Sequence, residues 1–468
     1  MSGVGGRGGG GGARGGRGGH GGRRGGASGS SERGGERKER ELQKPSAEAW
    51  RALGPYAKTR LTVHTLGLSL ALDVPGDVFS TLRIDEGTQL LLGHLPARPP
   101  RSLLDLGCGY GALGLPVAAR FPEARALLVD RDLLAVAASA HNARALGLGN
   151  VKVRPSLGYR DVPAEARFDW ILCNVPARIG GEAIGVFLAR GQARLTSSPD
   201  AELRMVAIRD LVSTVLEQAA KRGLAIRTVA TGPRHSVFAL GAAPEAAASP
   251  DAASSPRGGN LPDARSATGP AEPEEFEALY ARDRTLLPLS EAPLSLERPH
   301  DASEDPGHAA ALSVLFEALP RAAPGSALAF RCGFGGVALA LRARFPACPV
   351  TAVERDLLDA AFLQRNARAL GLASLLTVRT ALFPAEACGA EKFALVAGEL
   401  SPSAGPDVAV RELAEARGLL APGGHALALA TVKQRLATLG RCPGWSVLLE
   451  RKTVSLWRAA PATAVPRG

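Results

Sequence analysis

The feature that most constrains this chain is a repetition. Cys108-Gly109-Tyr110-Gly111 returns in the second half as Cys332-Gly333-Phe334-Gly335. One fixed displacement, without a gap, also carries Phe121-Pro122 onto Phe345-Pro346 and Arg131-Asp132-Leu133-Leu134 onto Arg355-Asp356-Leu357-Leu358. It goes on to carry Asn142–Leu148 onto Asn366–Leu372. Chance does not preserve such a register, so the chain carries two copies of one fold.

The wording of the first copy says which kind of fold. Leu103-Leu104-Asp105-Leu106 is a short apolar run ending beside an acid, and Gly107-Cys108-Gly109-Tyr110-Gly111 follows. Helix-forming residues then run from Ala112 to Phe121. That is a parallel strand feeding a tight loop that opens a helix, where main-chain N–H groups meet a ligand closely. Only glycine takes positive φ there and leaves no Cβ in the way. Leu127-Leu128-Val129-Asp130 reads as a second strand ending in an acid, where such folds hold ribose hydroxyls. From Leu103 to Leu240 strand-like and helix-like segments alternate, which predicts an α/β fold with a doubly wound, mostly parallel sheet.

The copies are not chemically equal. Ala329 stands where Asp105 does and Arg331 where Gly107 does, while Glu354 keeps the acid of Asp130. A long cation in the turn obstructs a ligand's approach, so the first copy is expected to hold the working site.

The flanks divide the chain. Residues 1–44 are Gly/Arg-rich; their first forty residues hold eight Arg and one Lys against three Glu, out of a net charge of +11 for the chain. Such a segment cannot offset backbone entropy by burial and is expected to be disordered, either as a cationic arm on RNA or as a solubilising tail. Residues 45–241 form the first expected domain, and Leu61–Leu72 reads as a strand or hairpin. Residues 242–285 read as a linker rich in Ala, Pro, Ser and Gly, and 286–462 as the second domain. The six cysteines show no C-x-x-C pair and sit mostly in apolar runs, so buried reduced thiols are expected and no metal site. No apolar run approaches membrane-span length, and the reading is a cytoplasmic protein with no membrane partner.

Candidate chemistry follows the strand Phe168-Asp169-Trp170-Ile171-Leu172-Cys173, as Asn174-Val175-Pro176-Ala177-Arg178-Ile179-Gly180. An Asn here is also an ordinary turn residue after a strand. The place matches the Asn-Pro-Pro-aromatic motif of methyltransferases acting on exocyclic or amide nitrogen. There, an Asn oxygen and the next main-chain carbonyl accept the two N–H bonds of the target amine, so that its lone pair meets the methyl group. His141, Asn142 and His235 are read as structural or solvated.

Residues from about 60 to 240 resemble the small-domain ribosomal RNA guanine-N2 methyltransferases (the RsmC/RlmG group), a class I S-adenosylmethionine (SAM)-dependent family. The resemblance rests on Pro75-Gly76-x-Val78-Phe79-Ser80, Ile84-Asp85-x-Gly87, Leu104-Asp105-Leu106-Gly107-Cys108-Gly109-x-Gly111, Phe168-Asp169 and Asn174-x-Pro176. It implies two tandem Rossmann-like methyltransferase folds, the second degenerate; in the family it is usually the N-terminal copy that is degenerate. It also implies SAM as cofactor and RNA, in particular ribosomal RNA or a ribosomal subunit, as partner. Asp105, Gly107, Gly109 and Gly111 would then meet SAM at the turn, Asp130 its ribose, and Ser156 its adenine. Asn174 and Pro176 would be catalytic. Phe79, Val175 and Arg178 would lie on the substrate side, with Gln89 near the mouth. The chain departs from the motif at Val175, in place of the first proline, and at Ala177, in place of an aromatic that stacks on a flipped base. Two other functions stay open: a non-catalytic RNA-binding or ribosome-assembly protein, and an N-methyltransferase of a protein amide or small amine.

Overall fold

The structure is a computed structural model that describes residues 43–78, 83–243, 273–289, 293–302 and 308–459. The Gly/Arg-rich stretch up to residue 42 and Phe79 lie outside the described residues.

Helix α1 (Ala47–Leu53) leads into a hairpin of β1 (Ala57–Thr65) and β2 (Leu68–Pro75), the hairpin expected from Leu61–Leu72. Helix α2 (Glu86–Leu92) follows, capped by Asp85, whose carboxylate accepts from Thr88 N. The first sheet then assembles from β3 (Ser102–Leu106), β4 (Arg125–Asp130), β5 (Val151–Pro155), β6 (Trp170–Asn174), β7 (Glu202–Ile208), β8 (Ile226–Thr231) and β9 (His235–Gly241). Its spatial order is β5-β4-β3-β6-β7-β9-β8, parallel except for β9, which pairs antiparallel with both of its neighbours. Strand β3 is buried on both faces because helices cover both sides of a central parallel strand. These helices include α3 (Gly114–Arg120), α4 (Leu133–Ala145), α5 (Gly181–Gln192) and α6 (Val212–Lys221).

The second half begins earlier than its composition suggests. Within the segment read as a linker, α7 (Pro273–Ala278) and β10 (Ala281–Leu287) are already formed. Strand β10 is fixed by antiparallel pairing with β11 (Leu294–Pro299), the repeat of the first hairpin. The second seven-stranded sheet contains β12 (Ala327–Phe330), β13 (Val350–Glu354), β14 (Leu376–Thr380), β15 (Phe393–Glu399), β16 (Leu420–Thr431), β17 (Trp445–Arg451) and β18 (Val454–Ala459). Its order, β14-β13-β12-β15-β16-β18-β17, is that of the first.

The duplication extends to single hydrogen bonds. Asn142 is buried; its Oδ1 accepts from Asp73 N, and its Nδ2 donates to the carbonyls of Asp73 and Tyr110. Asn366 makes the same three bonds, with Glu297 and Phe334. His141, buried beside Asn142, bonds Asp73 Oδ2 at 2.9 Å, so both residues are structural.

The halves face each other through the loops after β4 and β13. Arg131 pairs with Asp356 at 3.1 Å and Asp301 at 2.8 Å, and Arg355 pairs reciprocally with Asp132 at 2.9 Å and Asp77 at 3.0 Å. Each arginine meets two carboxylates, so neither cation is left unpaired in this partly buried seam. The apolar core runs across it: Phe276, Tyr280, Leu358 and Phe362 belong to one cluster with Leu104, Val129 and Ile171. All six cysteines are buried and unbridged. Among the described residues no helix is long and apolar enough to cross a membrane.

Candidate active site

A cavity of about 540 Å³ opens beside β3 and β6, where the strand order of the first sheet reverses. Open α/β sheets bind ligands at this switch point. Its floor is the loop from Gly107 to Leu113. Gly107 and Gly109 have φ of +81° and +56°, and a Cβ on either would meet no atom within 4 Å. Bare main chain therefore borders open space at these two positions. Gly111 serves differently. It does not line the cavity, and a Cβ there would come 2.3 Å from Leu115 Cδ1, so tight packing on α3 demands the glycine.

Asp105 also corrects the expectation. Its side chain is fully buried and absent from the cavity wall. Oδ2 accepts from Gly114 N at 2.7 Å, while Oδ1 has no partner. The residue braces the loop from behind. Burial pushes its pKa up to about 7, against the lowering effect of the Gly114 bond and with the help of nearby Asp130. Gly114 is needed for this contact, since its Cβ would lie 2.6 Å from Asp105 Oδ2.

Asp130, at the end of β4, lines the cavity. Its Oδ2 accepts from Gly109 N at 2.8 Å and its Oδ1 from Asp132 N at 3.0 Å. Each carboxylate oxygen can accept a second bond, so capacity for a ligand hydroxyl remains. Burial raises its pKa. Ser156 borders the cavity too, but its hydroxyl is already used: Oγ donates to Gly158 O at 2.7 Å and accepts from Asp161 N at 3.1 Å. It shapes the loop, and Leu157, Gly158 and Phe187 provide the wall there.

Asn174 ends β6 and lines the cavity with Val175, Pro176, Ala177 and Arg178. Its Nδ2 donates to Asp85 Oδ2 at 2.9 Å and to Thr88 Oγ1 at 3.0 Å. The Asp85 carboxylate accepts, so the amide nitrogen must face α2 and Oδ1 must face away from it. Asp85 and Thr88 were not singled out from sequence as site residues, although Asp85 belongs to the Ile84-Asp85-x-Gly87 motif. Gly87 lets His235 approach, its Cβ position lying 2.9 Å from His235 Cδ2, so His235 too borders the cavity. Val175 is buried and donates its N–H to Val206 O at 2.9 Å; the Pro176 carbonyl accepts from Ile179 N at 3.2 Å. Arg178 sits on the rim, half exposed, 3.8 Å from Asp301. Gln89 donates to Ile84 O and is not part of the wall.

Three further wall residues come from the second half: Tyr280, Asp301 and Asp356. No local pattern marks them, because they arrive through the seam between the halves. At the mouth, an open basin of about 640 Å³ shares Asp85, Ile208 and His235 with the cavity and is edged by Arg83, Arg209 and Arg234.

The corresponding place in the second half is filled by its own side chain. Arg331 keeps a positive φ of 48°, as Gly107 does, and its guanidinium pairs with Glu412 and donates to the Tyr56 hydroxyl.

Residues 70–237 match the family profile described as Methyltransferase small domain. Over that stretch the first half is similar to a methyltransferase small domain. Ribosomal RNA small subunit methyltransferase C of Hahella chejuensis is 40% identical over 131 residues, which is 28% of this chain and 35% of that protein. Ribosomal RNA large subunit methyltransferase G of Shewanella amazonensis is 36% identical over 110 residues, 23% of this chain and 28% of that protein. The chain thus matches about a third of the length of these curated relatives. The T. thermophilus 16S rRNA methyltransferase RsmC, solved in complex with AdoMet and guanosine, aligns with 88% of this chain and all of its own (TM-score 0.57, 17% identity). At that identity the likeness is one of fold, and it spans both halves. The stretch that matches this profile places Gly107, Gly109, Asp130 and Asn174 around one cavity, and Asp105 and Gly111 behind its floor.

Proposed function

We propose that the chain is a SAM-dependent N-methyltransferase acting on the exocyclic amine of a base in RNA, with N2 of guanine in ribosomal RNA as the target. The observation that carries this reading is the fixed polarity of Asn174. With Nδ2 tied to Asp85 and Thr88, its oxygen is an acceptor for an amine N–H, and the adjoining Val175 carbonyl can take the second. Valine in place of proline costs nothing at that step, since only the main-chain oxygen is used.

The residues present fit the cofactor. Gly107 and Gly109 form a cradle that any Cβ would fill, Asp130 retains acceptor capacity for ribose hydroxyls, and the cavity has the size of a nucleoside site. When bound, SAM supplies an electrophilic methyl group on a sulfonium. The chain's own part is to hold the target nitrogen in line, polarise it through two acceptors, and keep water out with Val175, Ile179 and Phe187. No nucleophilic side chain is required. RNA as the target is supported by the ribosomal RNA methyltransferase relatives. The boundaries 45–241 and 286–462, with β10 and α7 reassigned to the second half, are part of the same proposal.

The test is methyl transfer from labelled SAM to ribosomal RNA, as naked RNA and as subunits, followed by nucleoside mass spectrometry. Labelled N2-methylguanosine is the expected product. Transfer only to a protein amide or small amine would replace RNA as the substrate, and no transfer together with tight RNA binding would favour the non-catalytic reading.

A further inference from the structure

Each half lends the other a tyrosine. Tyr56 precedes β1 and Tyr280 precedes β10, at equivalent points of the repeat, and both are buried. In the second half's filled site, the Tyr56 hydroxyl accepts from Arg331, which also pairs with Glu412 and lies 3.8 Å from Asp77. The side chain that replaced a glycine therefore crosses from the loop to the borrowed tyrosine. It stands where a ligand would stand.

In the first half the same frame is open. Gly107 has no side chain there. Counted from the glycine N-caps Gly180 and Gly405 of their helices, Phe187 takes the place of Glu412. Tyr280 lines the cavity, is 2% exposed, and its hydroxyl makes no hydrogen bond among the described residues. Its ring is held by Phe276, with centroids 5.8 Å apart, and Phe276 in turn packs on Gly158, where a Cβ would come 3.1 Å from its ring. A fixed, unpartnered phenol on the wall of a nucleoside-sized cavity, beside apolar Leu157 and Phe187, suits a base and its attached sugar.

We infer that Tyr280, supplied by the copy whose own site is filled, binds the nucleoside part of the cofactor in the first copy's site. Its hydroxyl makes there the bond that Tyr56 makes to Arg331 in the other. The inference rests on the SAM reading of the cavity. On it, the second half is kept as a wall of the first half's site.

The test is calorimetric titration of the full chain with S-adenosylhomocysteine and with 5′-methylthioadenosine, which lacks the amino-acid end. Tyr280→Phe should weaken both about fivefold, leave the ligand-free melting temperature unchanged, and raise KM for SAM without lowering kcat. Unchanged affinity for both ligands would overturn the inference, and so would a loss confined to S-adenosylhomocysteine. Wild-type protein that ignores both ligands would fail before any substitution is made; it would remove the SAM reading itself, and the role of Tyr280 with it.

Discussion

Asn174 is held by two hydrogen bonds that leave its oxygen for the substrate, so its removal should act on turnover rather than on binding. Asn174→Ala is expected to lower kcat by about 10²–10³ while SAM affinity stays within a few-fold, measured by single-turnover transfer and calorimetry. A variant with normal kcat would contradict the assignment. Asp105 makes a different prediction. A buried acid whose pKa is raised to about 7 keeps its proton on folding, whereas in the unfolded chain it loses that proton near pH 4. The folded state thus binds more protons across that window, and ligand-free stability should fall as pH rises from about 4 to 7. Asp105→Asn keeps an acceptor for Gly114 N and removes the titration. Its melting temperature should exceed the wild type's by several degrees at pH 8 and match it at pH 4. An equal gap at both pH values would show that the carboxyl does not titrate in this way. Asp105 was legible as a residue of the site but its place behind the loop was not, because an acid that braces and an acid that binds are spelled alike. Ser156 borders the cavity, but the sequence could not tell that its hydroxyl is used inside the loop.

Among the elements, the β3–loop–α3 unit is the most legible, since apolar run, glycine spacing and helix formers all agree there. The duplication shows how its parts depend on one another. Asp105 and Gly114 are matched in the second copy by Ala329 and Ala338, so the acid and the missing Cβ opposite it changed together. Gly114→Ala alone should cost about 1–3 kcal/mol, because its Cβ would fall on Asp105 Oδ2. Adding Asp105→Ala should recover most of that loss in a thermal melt. Strictly additive effects would deny that the two positions are in conflict. The segment from Pro273 to Leu287 was illegible by composition. Its order comes from β11 and from Phe276 packing on Gly158, neither of which is local. Carrying the repeat register back from Ala281 to Ala57 would have revealed it, since β10 then falls on β1.

For the whole molecule, the repeat announced two copies and the substitutions announced their inequality, and both readings agree with the structure. What the sequence did not disclose is that the copies share a seam through which Tyr280, Asp301 and Asp356 reach the first half's cavity. Reciprocal pairs such as Arg131–Asp356 and Arg355–Asp132 join repeat-equivalent residues far apart in the chain, and the repeat shows the residues but not that they meet. The second site is filled by Arg331 with Glu412 and Tyr56, which predicts that the chain holds one cofactor rather than two. The most direct measurement is therefore calorimetric titration of the full chain with S-adenosylhomocysteine, beside Gly107→Arg, which copies the second half's obstruction into the first. One site per chain in the wild type and none in Gly107→Arg is the predicted result. Two sites, no binding by the wild type, or undiminished binding by Gly107→Arg would contradict the account.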